Sequence, residues 1–123
     1  MVIQINDNNI KIKIVTTSKD ISRGMMGKKF NDEFDGLLFL LEKGQHAFWM
    51  KNCIIPLDII FIDENLITKI HHNCKPCISD NCKNYTGYGN MVLELKGNKC
   101  NILNIKEGDK IKFSDYGNVK NRR

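Results

Sequence analysis

Asp58 is the acidic residue whose surroundings point most directly to chemistry, because it lies inside the apolar segment 57–62. Both alternating faces of an extended strand there would be apolar, so the carboxyl group should be buried. A buried carboxylate needs a cation or several hydrogen-bond donors, or its pKa rises until it is neutral. We expect Asp58 to pair with Arg23, Lys51 or the indole N–H of Trp49. A structural ion pair and a functional acid are equally compatible with this pattern.

Glu94 is a second candidate acid, since it lies between Leu93 and Leu95 in another apolar segment. The argument is weaker here, because the same face of that strand also carries Lys96. Either Asp58 or Glu94 could serve as a general acid or base. The chain lacks a nucleophile elbow, a phosphate-binding loop, a dinucleotide fingerprint and a His-Glu-x-x-His motif. The common enzyme classes therefore find no support in the sequence.

Residues 48–53, Phe-Trp-Met-Lys-Asn-Cys, place two aromatic side chains beside a cation and an amide, directly before the Asp58 strand. Small-molecule pockets combine aromatic walls with a few converging polar groups. A lone Trp is also common in hydrophobic cores, and Cys53 with His46 would form a nucleophile and base only if the fold joins them. The predicted ligand-binding set is Arg23, Trp49, Lys51, Asn52, Asp58 and Glu94.

Several potential metal ligands lie close together between residues 71 and 82. The Cys-x2-Cys spacing lets two thiolates hold one zinc ion, and the candidate zinc ligands are Cys74, Cys77, Cys82 and His71. A second Cys-x2-Cys pair is missing, and a disulfide from Cys82 to Cys77 or Cys74, or free thiols, fit equally well. We expect Cys77 and Cys82 to be close in space, because a short loop closes at low entropic cost. The sequence suggests no cofactor other than zinc.

Short strands must position these residues. Alternating or continuous apolar patterns, bounded by turn residues, predict strands at 2–5, 10–15, 36–42, 47–50, 57–63, 66–71, 91–95 and 110–113. Thr17 or Ser18 would cap one short helix that Gly27 ends, while 101–105 could add a helical turn. A turn at 43–44 would make 36–50 a hairpin. The predicted fold is mainly β, a small barrel-like or closed antiparallel sheet of about six to eight strands with one short helix.

Composition indicates an ordinary globular chain. At 123 residues, 41% hydrophobic and 27% charged, we expect a single domain over 1–123, with a cysteine-containing loop at 73–90 and a basic tail at 118–123. The net charge of +5 comes mostly from scattered lysines, so we expect no nucleic-acid partner. No apolar run approaches the ~18 residues of a membrane span, and no secretion signal is visible. Five cysteines, an odd number, also count against a secreted disulfide framework. We expect a cytoplasmic protein, and we expect it to be a monomer.

Several of these motifs together resemble the domain of unknown function 192 family over residues 10–114. They are Arg23-Gly24-Met25-Met26, Gly36-Leu37-Leu38-Phe39, Phe48-Trp49-Met50-Lys51-Asn52, Pro56-Leu57-Asp58-Ile59-Ile60-Phe61-Ile62, Pro76-Cys77, Cys82, Tyr85, Val92-Leu93-Glu94-Leu95 and Gly108-Asp109. The resemblance implies a compact, mainly β fold with one short helix and no established activity. Many relatives carry secretion signals, so it also implies a Cys77–Cys82 disulfide. Cys53 stands where relatives usually have Thr, and Cys74 is an addition.

Three functions compete at this point. The first is a binding module whose predicted ligand-binding set holds a small polar, even anionic, molecule. The second is a structural or interaction accessory protein of a larger assembly, in which the polar residues form a buried clamp. The third is an enzyme that uses Asp58 or Glu94 as general acid or base. A cavity beside Trp49 would favour the first, and a solid core there would favour the second.

Overall fold

The computed structural model describes residues 1–114, which form seven β-strands and two short helices. The mainly β fold class is confirmed, since the sheet curls into a half-barrel. The predicted basic tail lies outside the described residues. The strands are β1 Val2–Ile5, β2 Asn8–Val15, β3 Gly36–Trp49, β4 Leu57–Asp63, β5 Leu66–Cys74, β6 Asn84–Lys96 and β7 Ile111–Phe113, and the helices are α1 Ser18–Arg23 and α2 Lys99–Leu103.

The seven strands follow the order β5-β4-β6-β3-β2-β1-β7. Neighbouring strands are antiparallel except β2 and β3, which run parallel because the chain crosses over between them through α1. The prediction of a wholly antiparallel sheet is therefore wrong at this pair. At one end the edge strands β5 and β7 approach each other, where the N–H of Ile67 donates to Asp109 O at 2.9 Å and the N–H of Gly108 donates to Ile67 O at 2.8 Å.

Strand β3 is one continuous strand of 14 residues, so the predicted hairpin at 36–50 is wrong. Lys43-Gly44 marks a shift of register between Leu40 and Gly44, not a chain reversal. The strand continues because β6 offers a partner on both sides of the shift, including residues 84–89 that were predicted as loop. Gly87 makes this possible, because a Cβ at that position would overlap the ring of Phe61.

Both helices are short. Thr17 caps α1, as one of the two predicted capping residues, and its side chain accepts the N–H of Asp20 at 3.2 Å. The helix ends at Gly24, which adopts φ 47°, three residues before the predicted stop. The second helix, α2, overlaps the predicted helical turn, so the expectation of one helix was too low. Neither helix within residues 1–114 is long and apolar enough to cross a bilayer.

The curled sheet has a hydrophobic core on each face, which explains why the central strands are apolar on both sides. The first core contains alternate residues of β4 and β6, such as Ile60 and Leu93, packed with β1, β2, β7 and α2. The second core contains the intervening residues, such as Ile59 and Val92, covered by the chain around Met25. This alternation places Asp58 and Glu94 on opposite faces of the sheet.

Candidate functional site

A cavity of about 220 Å³ opens between α1 and the end of β3. It is lined by the chain from Ile21 to Met26, by Phe39, by residues 47–49, by Cys53 and by Glu94. The left-handed turn at Gly24 forms this wall, because it ends α1 and directs Met25 into the second core, where only 1% of it is exposed. A side chain at Gly24 would press against the ring of Phe39, 3.3 Å from the added carbon.

Glu94 is the buried acid of this cavity. It is 3% exposed on β6, between its register partners Leu37 on β3 and Ile59 on β4. No hydrogen bond or ion pair from residues 1–114 reaches its carboxyl group, and Oε1 is a buried oxygen without a partner. Burial raises the pKa of Glu94 from 4.5 to about 8. At neutral pH the group is therefore mostly a neutral acid that can both donate and accept hydrogen bonds.

Arg23 and Trp49 lie at the rim of the same cavity. Arg23 is exposed at the end of α1, and no salt bridge or hydrogen bond within residues 1–114 engages its guanidinium. Trp49 is 46% exposed at the end of β3. Phe39 and Phe48, edge to face at 4.9 Å between ring centroids, form an aromatic wall. The structure thus brings together three of the six predicted ligand-binding residues, Arg23, Trp49 and Glu94.

Cys53 also lines the cavity, although the predicted ligand-binding set omitted it. A tight turn, closed by the N–H of Cys53 donating to Met50 O at 3.1 Å, brings it back beneath the β3 end. Burial, with the Glu94 charge as a smaller cause, raises the pKa of Cys53 to about 11, so the thiol stays protonated and is a poor nucleophile. His46 lies instead against Glu42 O at 2.6 Å, and no hydrogen bond within the described chain joins it to Cys53.

Asp58 is buried as predicted, at 0% exposure, but its predicted partners are wrong. Three backbone N–H groups donate to its carboxylate: Asn73 at 2.7 Å and Asn98 at 2.9 Å to Oδ1, and Cys100 at 2.8 Å to Oδ2. Neither Arg23, Lys51 nor Trp49 contacts it, because the alternation of β4 directs Asp58 toward α2 on the other face. Both oxygens are occupied, so Asp58 joins β4, the end of β5 and the start of α2 and does not line the cavity.

Lys51 and Asn52, also predicted to bind ligand, hold the cysteine loop instead. Lys51 Nζ donates to Ser79 O at 2.6 Å and lies 3.4 Å from Asp80 Oδ1. The N–H of Asn52 donates to Cys77 O at 2.8 Å, and its carbonyl accepts the N–H of Gly27 at 3.0 Å. Neither residue lines the cavity, but both fix the chain directly after Trp49.

Cys77 and Cys82 form a disulfide with Cα atoms 5.8 Å apart, which confirms their predicted proximity. The candidate zinc ligands are not brought together. Cys74 is buried and donates through Sγ to His71 O at 3.5 Å, while His71 Nε2 lies 2.8 Å from Thr86 O. Within residues 1–114, no three His, Cys, Asp or Glu side chains converge as metal ligands.

Comparison with known proteins agrees with this fold. A crystal structure of a protein of unknown function from Novosphingobium aromaticivorans DSM 12444 is similar, with 28% identity, a TM-score of 0.79, and coverage of 91% of this chain and 84% of the other. A proposed transcription regulator from Sinorhizobium meliloti 1021 has 24% identity, a TM-score of 0.79, and coverage of 90% and 91%. No curated protein matches the chain. The family model DUF192, described as "Uncharacterized ACR", matches residues 1–113, so the protein belongs to the DUF192 family.

Proposed function

We propose that the protein is a small-molecule binding module whose site is the cavity lined by Arg23, Trp49 and Glu94. The observation that carries this proposal is the buried carboxyl group of Glu94, which has no hydrogen-bond or ion-pair partner among the described residues 1–114. A buried polar group without a partner costs stability, and a cavity beside such a group gives a ligand access to it. The bound ligand would supply the missing hydrogen bonds.

The size and walls of the cavity support a small ligand. Its volume of about 220 Å³ is below the roughly 300–1,000 Å³ of pockets for drug-sized molecules. Three aromatic rings and two methionines line it, together with the polar side chains of Arg23 and Glu94. This combination favours a compact molecule with an apolar body and one or two polar groups.

A fragment screen by saturation-transfer NMR tests the proposal. Small organic acids and amides should bind, and Ala47→Phe, which fills the cavity from the exposed end of β3, should abolish their signals. Gln45→Phe is the matched control, because Gln45 is exposed on the same strand but does not line the cavity. Equal loss in both variants, or no hits with the unmodified protein, would refute the proposal.

Acid–base catalysis by Glu94 is a second candidate function. A pKa near 8 suits proton transfer close to neutral pH. Asp58 is not supported as the general acid or base, because both oxygens of its carboxylate accept backbone hydrogen bonds. Ligands recovered chemically unchanged after long incubation would favour binding alone, whereas turnover that Glu94→Gln abolishes would favour the enzyme.

A cytoplasmic location is also part of the proposal. The Cys77–Cys82 disulfide is an observation against it, since cytosolic systems keep most thiols reduced. Alkylation of the protein in freshly lysed cells decides between the two: a cytoplasmic protein should expose Cys77 and Cys82 as free thiols, and protection of both would contradict that location.

A further inference from the structure

The two charged side chains that line the cavity, Arg23 and Glu94, are not paired with each other. Arg23 is exposed at the rim, Glu94 is buried inside, and no ion pair joins them. An unpaired carboxylate deep in an apolar wall is unfavourable, so Glu94 keeps its proton unless a cation enters. A ligand in the cavity therefore has both a permanent cation and a hydrogen-bonding acid available to it.

Among residues 1–114, no cation pairs with Glu94 to stabilise its charged form. Its register partners Leu37 and Ile59 are uncharged. The ionisable groups that interact with it are the thiols of Cys53 and Cys74, both with pKa raised to about 11 by burial. Arg23 at the end of α1 is exposed, as is Lys96 further along β6.

Charge favours an anion over a cation as the ligand. A cation entering past the Arg23 guanidinium would be repelled, and the net charge of +5 adds to that repulsion. An anionic group would instead accept paired hydrogen bonds from the exposed Arg23 guanidinium, the strongest contact that the rim can offer. The aromatic wall of Phe39, Phe48 and Trp49 suits a ring between the two polar ends.

We propose that the cavity takes a small aromatic or similarly apolar acid, whose anionic group binds Arg23 and whose opposite, uncharged amide, carbonyl or hydroxyl group hydrogen-bonds to the protonated carboxyl of Glu94. This inference rests on the proposed binding function and specifies its ligand class. A protonated acid offers a donor and an acceptor side by side, so a primary amide can satisfy both.

Four matched fragments test the inference by NMR titration, with the indole N–H of the single Trp as reporter. The fragment 4-carbamoylbenzoate carries the anion and the amide, 4-methylbenzoate only the anion, benzamide only the amide, and 4-(aminomethyl)benzoate an ammonium in place of the amide. We expect 4-carbamoylbenzoate to bind about tenfold or more tightly than the other three, the gain of one charge-assisted or buried hydrogen-bonded contact.

Three variants assign the two ends. Arg23→Met should reduce the affinity for 4-carbamoylbenzoate to that of benzamide, and Glu94→Met should reduce it to that of 4-methylbenzoate. Glu94→Gln keeps an uncharged donor and acceptor, so its affinity should stay within about twofold. The affinity of the unmodified protein should fall as the pH rises through about 8, while that of Glu94→Gln should not change.

The outcomes separate this inference from the proposed function. Tightest binding of 4-(aminomethyl)benzoate, lost in Glu94→Gln, would mean that an ionised Glu94 holds a cation; the binding function would stand and the ligand class would be wrong. Binding unaffected by Arg23→Met would also overturn the ligand class alone. Absence of binding by all four fragments would overturn both.

Discussion

Glu94 and Asp58 are both buried carboxyl groups, but their hydrogen bonding differs completely. Three backbone N–H groups surround Asp58, as expected for a carboxylate with a structural role. The carboxyl of Glu94 has no partner within residues 1–114 and lines a cavity. The sequence predicted burial of Asp58 from its apolar neighbours, yet it could not rank Glu94 above Asp58. Side-chain alternation does not show which face carries backbone donors.

Replacing Glu94 with Gln should stabilise the protein at pH 8 but not at pH 5. The pKa of Glu94 is raised from 4.5 to about 8 in the folded protein, so the folded state binds more protons than the unfolded state between these values. Stability of the unmodified protein should therefore fall as pH rises from about 5 to 8, by about 3–5 kcal/mol, and then level off. Gln is neutral throughout, so the variant lacks this loss. Urea unfolding at pH 5 and pH 8 measures the free energy of unfolding of both proteins. The same pH dependence in the unmodified protein and in Glu94→Gln would contradict the prediction.

Replacing Asp58 with Ala should destabilise the protein by about 3–5 kcal/mol, because it leaves one buried and two partly buried N–H groups without an acceptor. The loss of stability should first affect α2, because Asp58 accepts hydrogen bonds from the N–H groups of Asn98 and Cys100 at its start. Asp32→Ala is the matched control, because Asp32 is exposed, and it should change stability by less than about 0.5 kcal/mol. Equal unfolding midpoints for the two variants would show that Asp58 does not hold these elements together.

At the scale of elements, β3 and β6 extend further than the sequence indicated. Turn residues at Lys43-Gly44 and the Gly- and Asn-rich stretch before Met91 predicted a hairpin and a loop, respectively. Long-range pairing over 36–49 overrides these local preferences, since each strand gives the other a partner. The extension matters for function because it carries Trp49 to the rim of the cavity. The strands of the two hairpins elsewhere, β1 with β2 and β4 with β5, were easier to predict, because they have strong alternation or continuous apolar runs.

The disulfide loop should stabilise the folded protein by about 2 kcal/mol, the effect of closing a loop this short in the unfolded chain. Reduction should lower the urea midpoint accordingly, and Cys77→Ser with Cys82→Ser should reproduce the loss without reductant. Denatured but unreduced protein should titrate three free thiols, from Cys53, Cys74 and Cys100. A count of five would mean that the loop is closed by other contacts.

At the scale of the whole molecule, the curled sheet provides two separate environments. One face, closed by α2, buries Asp58 as a connection between elements, and the other, covered by α1 and the chain after β3, holds the cavity. Apolar runs in the sequence predicted the mainly β class because two-sided burial demands them. They could not predict the cavity, since an opening depends on how α1 and the end of β3 are spaced in three dimensions.

The most direct test of the central claim is to map where a small organic acid binds on the whole chain. Amide chemical shifts of the ¹⁵N-labelled protein would be recorded during titration with 4-carbamoylbenzoate. We expect the largest shifts at Gly24, Trp49, Cys53 and Glu94, the residues around the cavity. Shifts confined to the polar depression between Asp7 and Lys99 on another part of the surface, or no shifts at all, would contradict the account.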